Sequence, residues 1–368
     1  LPHLLRRPRD ATDRGHVMAA LPPVVAGDVA RIIARDIPWD ALSGATVLVT
    51  GANGMLPSYA VHTLLGLNDA RGAGIRVVGL VRNEQKARRV LAPVLDRADF
   101  QLLATDVTRL DAFDGPLDLV IHGASAARPA LHAADPVATI KANLLGSFNL
   151  LDLCVAKRTP RFVLMSSSEV YGAQPEGVRL IPEGSYGGFD ILNPRASYSE
   201  GKRAAETIAG VYAAQHGIDA RIVRFGHIYG PGMALDDGRV QADFAANVVR
   251  GEDIVLNSDG AAMRTYTYVA DAVSGMFTAL LVGTDRAYNV ADPEGMVSIR
   301  ELAQKFAAAR PEKGLRRIFA NPDHADDRAY NTAAFLGLDS SALEALGWRA
   351  EVGLTSGIDR MLRSYEGR

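Results

Sequence analysis

The run Thr46-Val47-Leu48-Val49-Thr50, followed at once by Gly51-Ala52-Asn53-Gly54, constrains this chain more than any other segment. Five apolar or β-branched residues without polar alternation describe a strand buried on both faces, the habit of parallel sheets covered by helices. Glycines placed directly after such a strand allow a tight turn and let an anionic ligand reach the backbone at the next helix N-terminus. The unit reads as the first βα step of a doubly wound sheet, and the ligand it suits is a dinucleotide pyrophosphate.

The alternation continues downstream. A second strand at 75–81 ends at Arg82, and Asn83 is placed to cap the Lys/Arg-rich helix after it. Residues 101–103 lead to Asp106, 117–122 run into a small-residue loop at 123–127, and 161–165 end in Ser166-Ser167-Ser168-Glu169. Strands alternating with helices predict an α/β fold, a Rossmann-type doubly wound parallel sheet with its ligands at the carboxyl ends of the strands. The glycine turn, the small-residue loop and the serines all fall at such ends, so they should share one crevice. Beyond Arg224 the pattern loosens around Gly226, Gly230, Pro231 and Gly232, and helical periodicity returns at 241–250 and 300–309. That half reads as a smaller α+β substrate lobe interleaved with the sheet. The expected division is an N-terminal extension at 1–44, a dinucleotide-binding domain at 45–225 and a mainly substrate-binding lobe at 226–368. Residues 1 to about 22, with Arg6, Arg7, Arg9 and Arg14, show no periodicity and are left out of the fold, Met18 being a candidate start.

Tyr198 precedes Lys202 by four residues, so on a helix the two share a face and the ammonium can favour the phenolate. A tyrosine tuned in this way takes a proton from an alcohol at neutral pH. Together with the glycine turn, the pair describes a hydride-transfer site. His122, His132 and His227 stand at no metal-ligand spacing with a cysteine or an acid, so no metal is expected. A net charge of -2 gives no drive toward nucleic acid or anionic membrane. No apolar run reaches the roughly 20 residues of a membrane span. The single cysteine, Cys154, reads as a small buried residue and fits a reducing cytoplasm.

Several of these features occur in a telling order: the glycine turn, Asp106, His122-Gly123-Ala124-Ser125, Asn143, 166–172, Tyr198 with Lys202, Gly230-Pro231, and Arg264 ahead of Tyr268-Val269-Ala270-Asp271. The chain thereby resembles the extended short-chain dehydrogenase/reductases, the nucleotide-sugar epimerase, dehydratase and decarboxylase group, over about 45–348. Asn193-Pro194-Arg195 before Tyr198, Ser167-Ser168-Glu169-Val170-Tyr171-Gly172, and Asp237-Gly238-Arg239-Val240 before Phe244 are most similar to the UDP-glucuronate decarboxylase branch. The resemblance implies a catalytic set of Ser167, Glu169, Tyr198, Lys202 and Arg264. It implies a nicotinamide dinucleotide, NAD or NADP, on Gly51, Asn53, Gly54, Met55, Leu56, Arg82, Asp106, Val107, Ala124, Ser125, Asn143, Ser166, Tyr198 and Lys202. A nucleotide sugar would meet Ser168, Arg195, His227, Arg239, Arg264 and Arg328. A homodimer paired through 143–155 and 198–215 also follows from the resemblance.

Some positions depart from the group. Pro57 replaces the third glycine of the cofactor turn, so the helix must pack differently on its strand. Arg82 stands where NAD-preferring members carry an acid; it is either a clamp for a 2′-phosphate or a solvated arginine, and both cofactors stay open. His227 replaces a common asparagine. Ser168 replaces the acid of the 4,6-dehydratases, which argues against dehydration because that reaction needs a general acid beside its base. Arg264 either meets the substrate or pairs with Asp271, and Arg328 either meets a diphosphate or sits in a surface salt bridge. The implied chemistry is oxidation at the sugar C4 and decarboxylation of a UDP-uronic acid, in the setting of polysaccharide biosynthesis. Epimerisation, 4,6-dehydration and simple 4-dehydrogenation are the alternatives, and intact Ser167, Tyr198 and Lys202 weigh against a non-enzymatic module.

Overall fold

A computed structural model describes residues 17–125, 128–174, 177–319 and 335–366. Two helices, α1 (Val17–Ala20) and α2 (Pro23–Ala34), come first. The sheet then builds through β1 (Thr46–Thr50), α3 (Met55–Arg71), β2 (Arg76–Val81), α4 (Glu84–Val90), β3 (Phe100–Ala104) and β4 (Leu119–His122). It continues through α5 (Pro129–Ala134), α6 (Pro136–Lys157), β5 (Arg161–Ser167), α7 (Ala196–His216) and β6 (Asp219–Phe225). The remainder holds β7 (His227–Tyr229), α8 (Val240–Arg250), β8 (Ile254–Leu256), β9 (Met263–Tyr268), α9 (Val269–Leu281), β10 (Ala287–Val290) and β11 (Met296–Ser298). It closes with α10 (Ile299–Ala308), β12 (Arg317–Phe319), β13 (Phe335–Leu336), α11 (Ser341–Glu344) and α12 (Leu354–Glu366).

All five residues of β1 are buried, as their apolar run requires. The strand lies inside a seven-stranded sheet of order β10-β6-β5-β4-β1-β2-β3, in which every pairing is parallel. This is a Rossmann-type doubly wound sheet. Its strand order reverses between β1 and β4, and the crevice at such a switch point is where ligands bind. The last strand, β10, comes from the second half of the chain, which also supplies a four-stranded unit around β9 and the β8/β12 pair.

Residues 17–22, left out on the sequence, and the extension after them both contribute to the core. Val17, Leu21, Val29 and Ile32 are buried with residues of α3 and α9. Asp28 explains why α2 holds there: buried itself, it accepts hydrogen bonds from Tyr59 and Tyr268, both at 2.8 Å, and an ion pair from Arg360 at 2.5 Å. A buried carboxylate needs such a set of donors to offset its lost hydration. It thereby ties the start of the chain to α3, β9 and α12.

Candidate active site

A cleft of about 1930 Å³ opens over the carboxyl ends of β1, β2, β4 and β5 and is walled on the far side by β7, α8 and β9. Single small-molecule sites occupy roughly 300–1,000 Å³, so this cleft has room for two nucleotide-sized ligands. Gly51, Asn53, Gly54, Met55 and Leu56 line it from the turn after β1, Arg82 from the end of β2, and Asp106 and Val107 from beyond β3. Ala124 and Ser125 reach it after β4; Ser166, Ser167, Ser168 and Glu169 reach it from β5 and the turn beyond. Arg195, Tyr198 and Lys202 come from α7 and the residue before it, and His227, Arg239 and Arg264 from the opposite wall.

Asn143 departs from this set. Expected at the cofactor, it is buried between α6 and α7: its amide donates to Thr139 O at 3.0 Å, and its side chain presses on Gly201. The absence of a Cβ at Gly201 draws the two helices together and directs the asparagine into their seam. Arg328 lies outside the described residues.

Gly51 has a φ of +66°, and a Cβ there would stand 2.9 Å from Gly123 O and Ala124 Cα. Only glycine fits such a turn. Pro57 is accommodated by a second glycine on the neighbouring strand end: a Cβ on Gly123 would come within 2.6 Å of the proline ring. The hydroxyl of Thr50 accepts from the N–H of Ala124 at 3.1 Å and bonds His122 Nδ1 at 2.9 Å, locking β1 to β4 beneath the turn.

The serine cluster divides its labour. Ser166 donates to Glu206 at 2.5 Å, and Glu206 is held by Arg224 at 2.6 Å, so this hydroxyl belongs to the scaffold. Ser167 accepts from Glu169 N at 3.3 Å and lies beside the Tyr198 hydroxyl. Burial raises the Tyr198 phenol above its ordinary value; Ser167 and the charge of Arg239 pull it down, and nearby Glu169 pushes it up.

Lys202 sits on the same helix as Tyr198 but does not act as its position suggested. Its ammonium is buried and donates to Met165 O at 2.7 Å, and burial brings its pKa down to about 8. The side chain follows the backbone acceptor on β5 instead of the phenol, so the groups that favour the phenolate here are Ser167 and Arg239.

On the far wall, Asp271 is taken by Arg35 at 2.7 Å, and the Arg264 guanidinium donates to Met263 O at 2.7 Å and lies near Glu169. The alternative pairing of Arg264 with Asp271 is therefore not formed. His227 is held neutral, with a pKa near 3, by burial and by Arg264 and Arg239; its Nδ1 has no hydrogen-bond partner among the described residues. Arg239 pairs with Asp237, which Arg128 also approaches at 3.6 Å. No group of His, Cys, Asp or Glu among the described residues is placed to hold a metal.

One cleft residue escaped the sequence reading. The ring of His132, on α5, stacks on Tyr198 with centroids 4.6 Å apart and 19° between planes. Nothing in the spacing of residues 132 and 198 signals this contact, which only the fold creates.

The family described as NAD dependent epimerase/dehydratase matches residues 47–291, spanning the turn, the serine cluster, the tyrosine and Arg264. The chain belongs to that family. UDP-glucuronic acid decarboxylase 6 of Arabidopsis thaliana is 32% identical over 327 residues, covering 88% of this chain and 89% of that protein. A UDP-glucose 4-epimerase of Thermus thermophilus, solved with NAD, is 28% identical with a TM-score of 0.70, over 88% of this chain and 99% of the other. A UDP-glucose 4-epimerase of Thermotoga maritima, 20% identical, shares the fold at a TM-score of 0.75 over 88% and 99%. The sheet is thus the fold of that family.

Proposed function

We propose that this chain oxidises the C4 hydroxyl of a nucleotide-linked sugar and, as its main activity, decarboxylates a UDP-uronic acid. The observation that carries the reading is the gathering of Tyr198, Ser167, Glu169 and Arg264 in one cleft with room for two nucleotides. The likeness to the plant decarboxylase over 88% of the chain supports the choice of substrate.

The first ligand is a nicotinamide dinucleotide. The space that a Cβ on Gly51 would fill, and the N-terminus of α3 beyond Gly54, suit its pyrophosphate. When bound, it supplies the acceptor and donor of hydride for C4. Tyr198 takes the C4 hydroxyl proton while Ser167 holds the same oxygen in place. Once C4 is a ketone, it stands β to the C6 carboxylate, so the electrons of the breaking C5–C6 bond have a sink and CO2 leaves. Glu169, or water that it orients, delivers the proton to C5. Arg264 holds the substrate anion by charge-assisted hydrogen bonds. Ser168, 6% exposed and without an ionisable group, offers no strong acid for expelling a C6 hydroxyl.

Epimerisation at C4 is the second reading, favoured by the likeness to the Thermus 4-epimerase. UDP-glucuronate labelled with ¹³C at the carboxylate separates the two. Label appearing in bicarbonate by NMR, and lost with Tyr198→Phe, is the expected result. Label retained on a sugar of altered stereochemistry makes the epimerase reading right, and an unchanged substrate overturns both.

A homodimer and a cytoplasmic setting complete the reading. Leu145, Phe148 and Val155 on α6 and Val211 on α7 are exposed large apolar side chains on helices that lie side by side. The setting rests on the lone buried Cys154, a free thiol. No helix among the described residues is long and apolar enough to cross a membrane.

A further inference from the structure

Arg128 immediately precedes α5 and lines the cleft from the sheet side. Its guanidinium reaches the turn between β7 and α8 on the far wall, 3.4 Å from Asp236 and 3.6 Å from Asp237. The two acids differ in setting: Asp236 is exposed, whereas Asp237 is buried and also holds Arg239. Lys86 of α4 stands within the field of the same two acids. A pair with one member buried is screened less by solvent and salt than a pair on the open surface.

The backbone carries this contact to the base. Arg128 O accepts from the His132 N–H at 3.3 Å, which closes the first turn of α5, and the His132 ring stacks on Tyr198. The guanidinium and the imidazole therefore leave a single turn, one for the far wall and the other for the base. The helix between them has six residues and packs on α6. A helix so short has little stability of its own, so its position is set by what its ends touch.

We propose that Arg128 is a positioning residue that ties α5 to the far wall and thereby holds the His132 ring against Tyr198. The proposal rests on the reading of Tyr198 as the base of the C4 oxidation. Since Arg128 and Asp237 both line the cleft, the orientation of the base follows the distance between its walls. Arg128 itself touches neither the base nor the oxygen being oxidised; it acts through His132.

Two measurements on the full chain test this. In protein labelled with ¹³C at histidine Cε1, the His132 resonance is assigned by its loss in His132→Ala, and a ring stacked over a phenol shifts it upfield. Arg128→Ala should move that resonance toward the position of an unstacked histidine, and Arg128→Lys, which keeps a cation, should leave it near its original place. In turnover of UDP-glucuronate, Arg128→Ala should lower kcat roughly three- to tenfold, the factor that the stack contributes, with the KM for the sugar unchanged. Added to His132→Ala, it should cause no further loss, because the residue through which it acts is already gone. A His132 resonance that stays in place in Arg128→Ala overturns the proposal, and so does a loss of kcat that is undiminished in the His132→Ala background. Absence of turnover in the unsubstituted protein overturns the substrate reading instead, and the resonance still decides whether Arg128 holds the stack.

Discussion

Tyr198 is a base only in its ionised form, and its surroundings set how often that form occurs. Burial and Glu169 disfavour it, and Ser167 and Arg239 favour it. Since the opposing influences act on a single oxygen, the orientation of the phenol matters as much as its charge. The His132 ring, stacked at 4.6 Å, covers one face of that phenol and restricts its rotation. Such aromatic pairs contribute about 0.5–1.5 kcal/mol beyond simple burial, so losing the stack should lower kcat roughly three- to tenfold. His132→Ala is expected to lose that factor with the KM for the sugar unchanged, and His132→Phe to recover most of it with the same pH profile. Full turnover in His132→Ala would show that the stack has no part in orienting the base. His132 is thus a positioning residue: it touches the base, and the substrate oxygen is left to Tyr198 and Ser167.

At the scale of elements, α6 and α7 do two jobs. Their inner faces close on each other through Asn143 and Gly201, which aligns the first turns of α7 with the end of β5. Their outer faces present Leu145, Phe148 and Val211, 44%, 42% and 53% exposed, a density of apolar side chains better suited to a partner than to water. Phe148, near the middle of α6, stands edge-on to Tyr212 toward the C-terminal end of α7. A central aromatic of this kind costs about 2 kcal/mol or more when lost from an interface. Phe148→Arg should therefore shift the protein from dimer to monomer by light scattering, with its circular dichroism unchanged; a mass unaffected by the substitution would remove α6 and α7 from the interface. Much of this level was legible beforehand, because buried parallel strands announce themselves as apolar runs and glycine turns as breaks after them. Ser166 and Ser167 proved to lie within β5, since their pairing with Arg224 and Phe225 of β6 extends the strand past its apolar part. Pro57 was visible as an exception in the sequence, but the glycine that accommodates it, Gly123, lies on another strand and only the sheet brings them together. The same limit applies to Lys202, whose helix face was read correctly while its hydrogen-bond acceptor, Met165 O, belongs to β5. Val17 and Leu21 were hidden for another reason: they are buried in a core that includes α3, and no local periodicity records it.

For the whole molecule, the buried histidines set the acid limit of stability. Burial depresses His62 to about 4, and His122 and His227 to about 3, from an ordinary value of 6.5. Between those values and 6.5 the unfolded chain binds protons that the folded chain refuses, so each histidine's contribution is present above pH 6.5 and is lost as the pH falls toward its folded value. Asp271 and Asp292 act in the opposite sense, because burial raises them and the folded state binds their protons first. A total curve therefore mixes the two, and a single histidine must be isolated by comparison. His62 serves best, since burial alone accounts for its shift and no charged neighbour complicates the reading. At pH 4.5 its neutral confinement should cost about 2–3 kcal/mol of stability relative to pH 7, at 1.36 kcal/mol for each unit between the unfolded value and the working pH. His62→Leu removes that proton without adding another, so urea unfolding of the two proteins should diverge with pH in a defined direction. Whatever the gap at pH 7, the unsubstituted protein should lose about 2 kcal/mol against His62→Leu on going to pH 4.5. A gap that stays constant across that range would mean that His62 titrates in the folded protein as it does in water, and that the middle of α3 is wetter than its burial indicates.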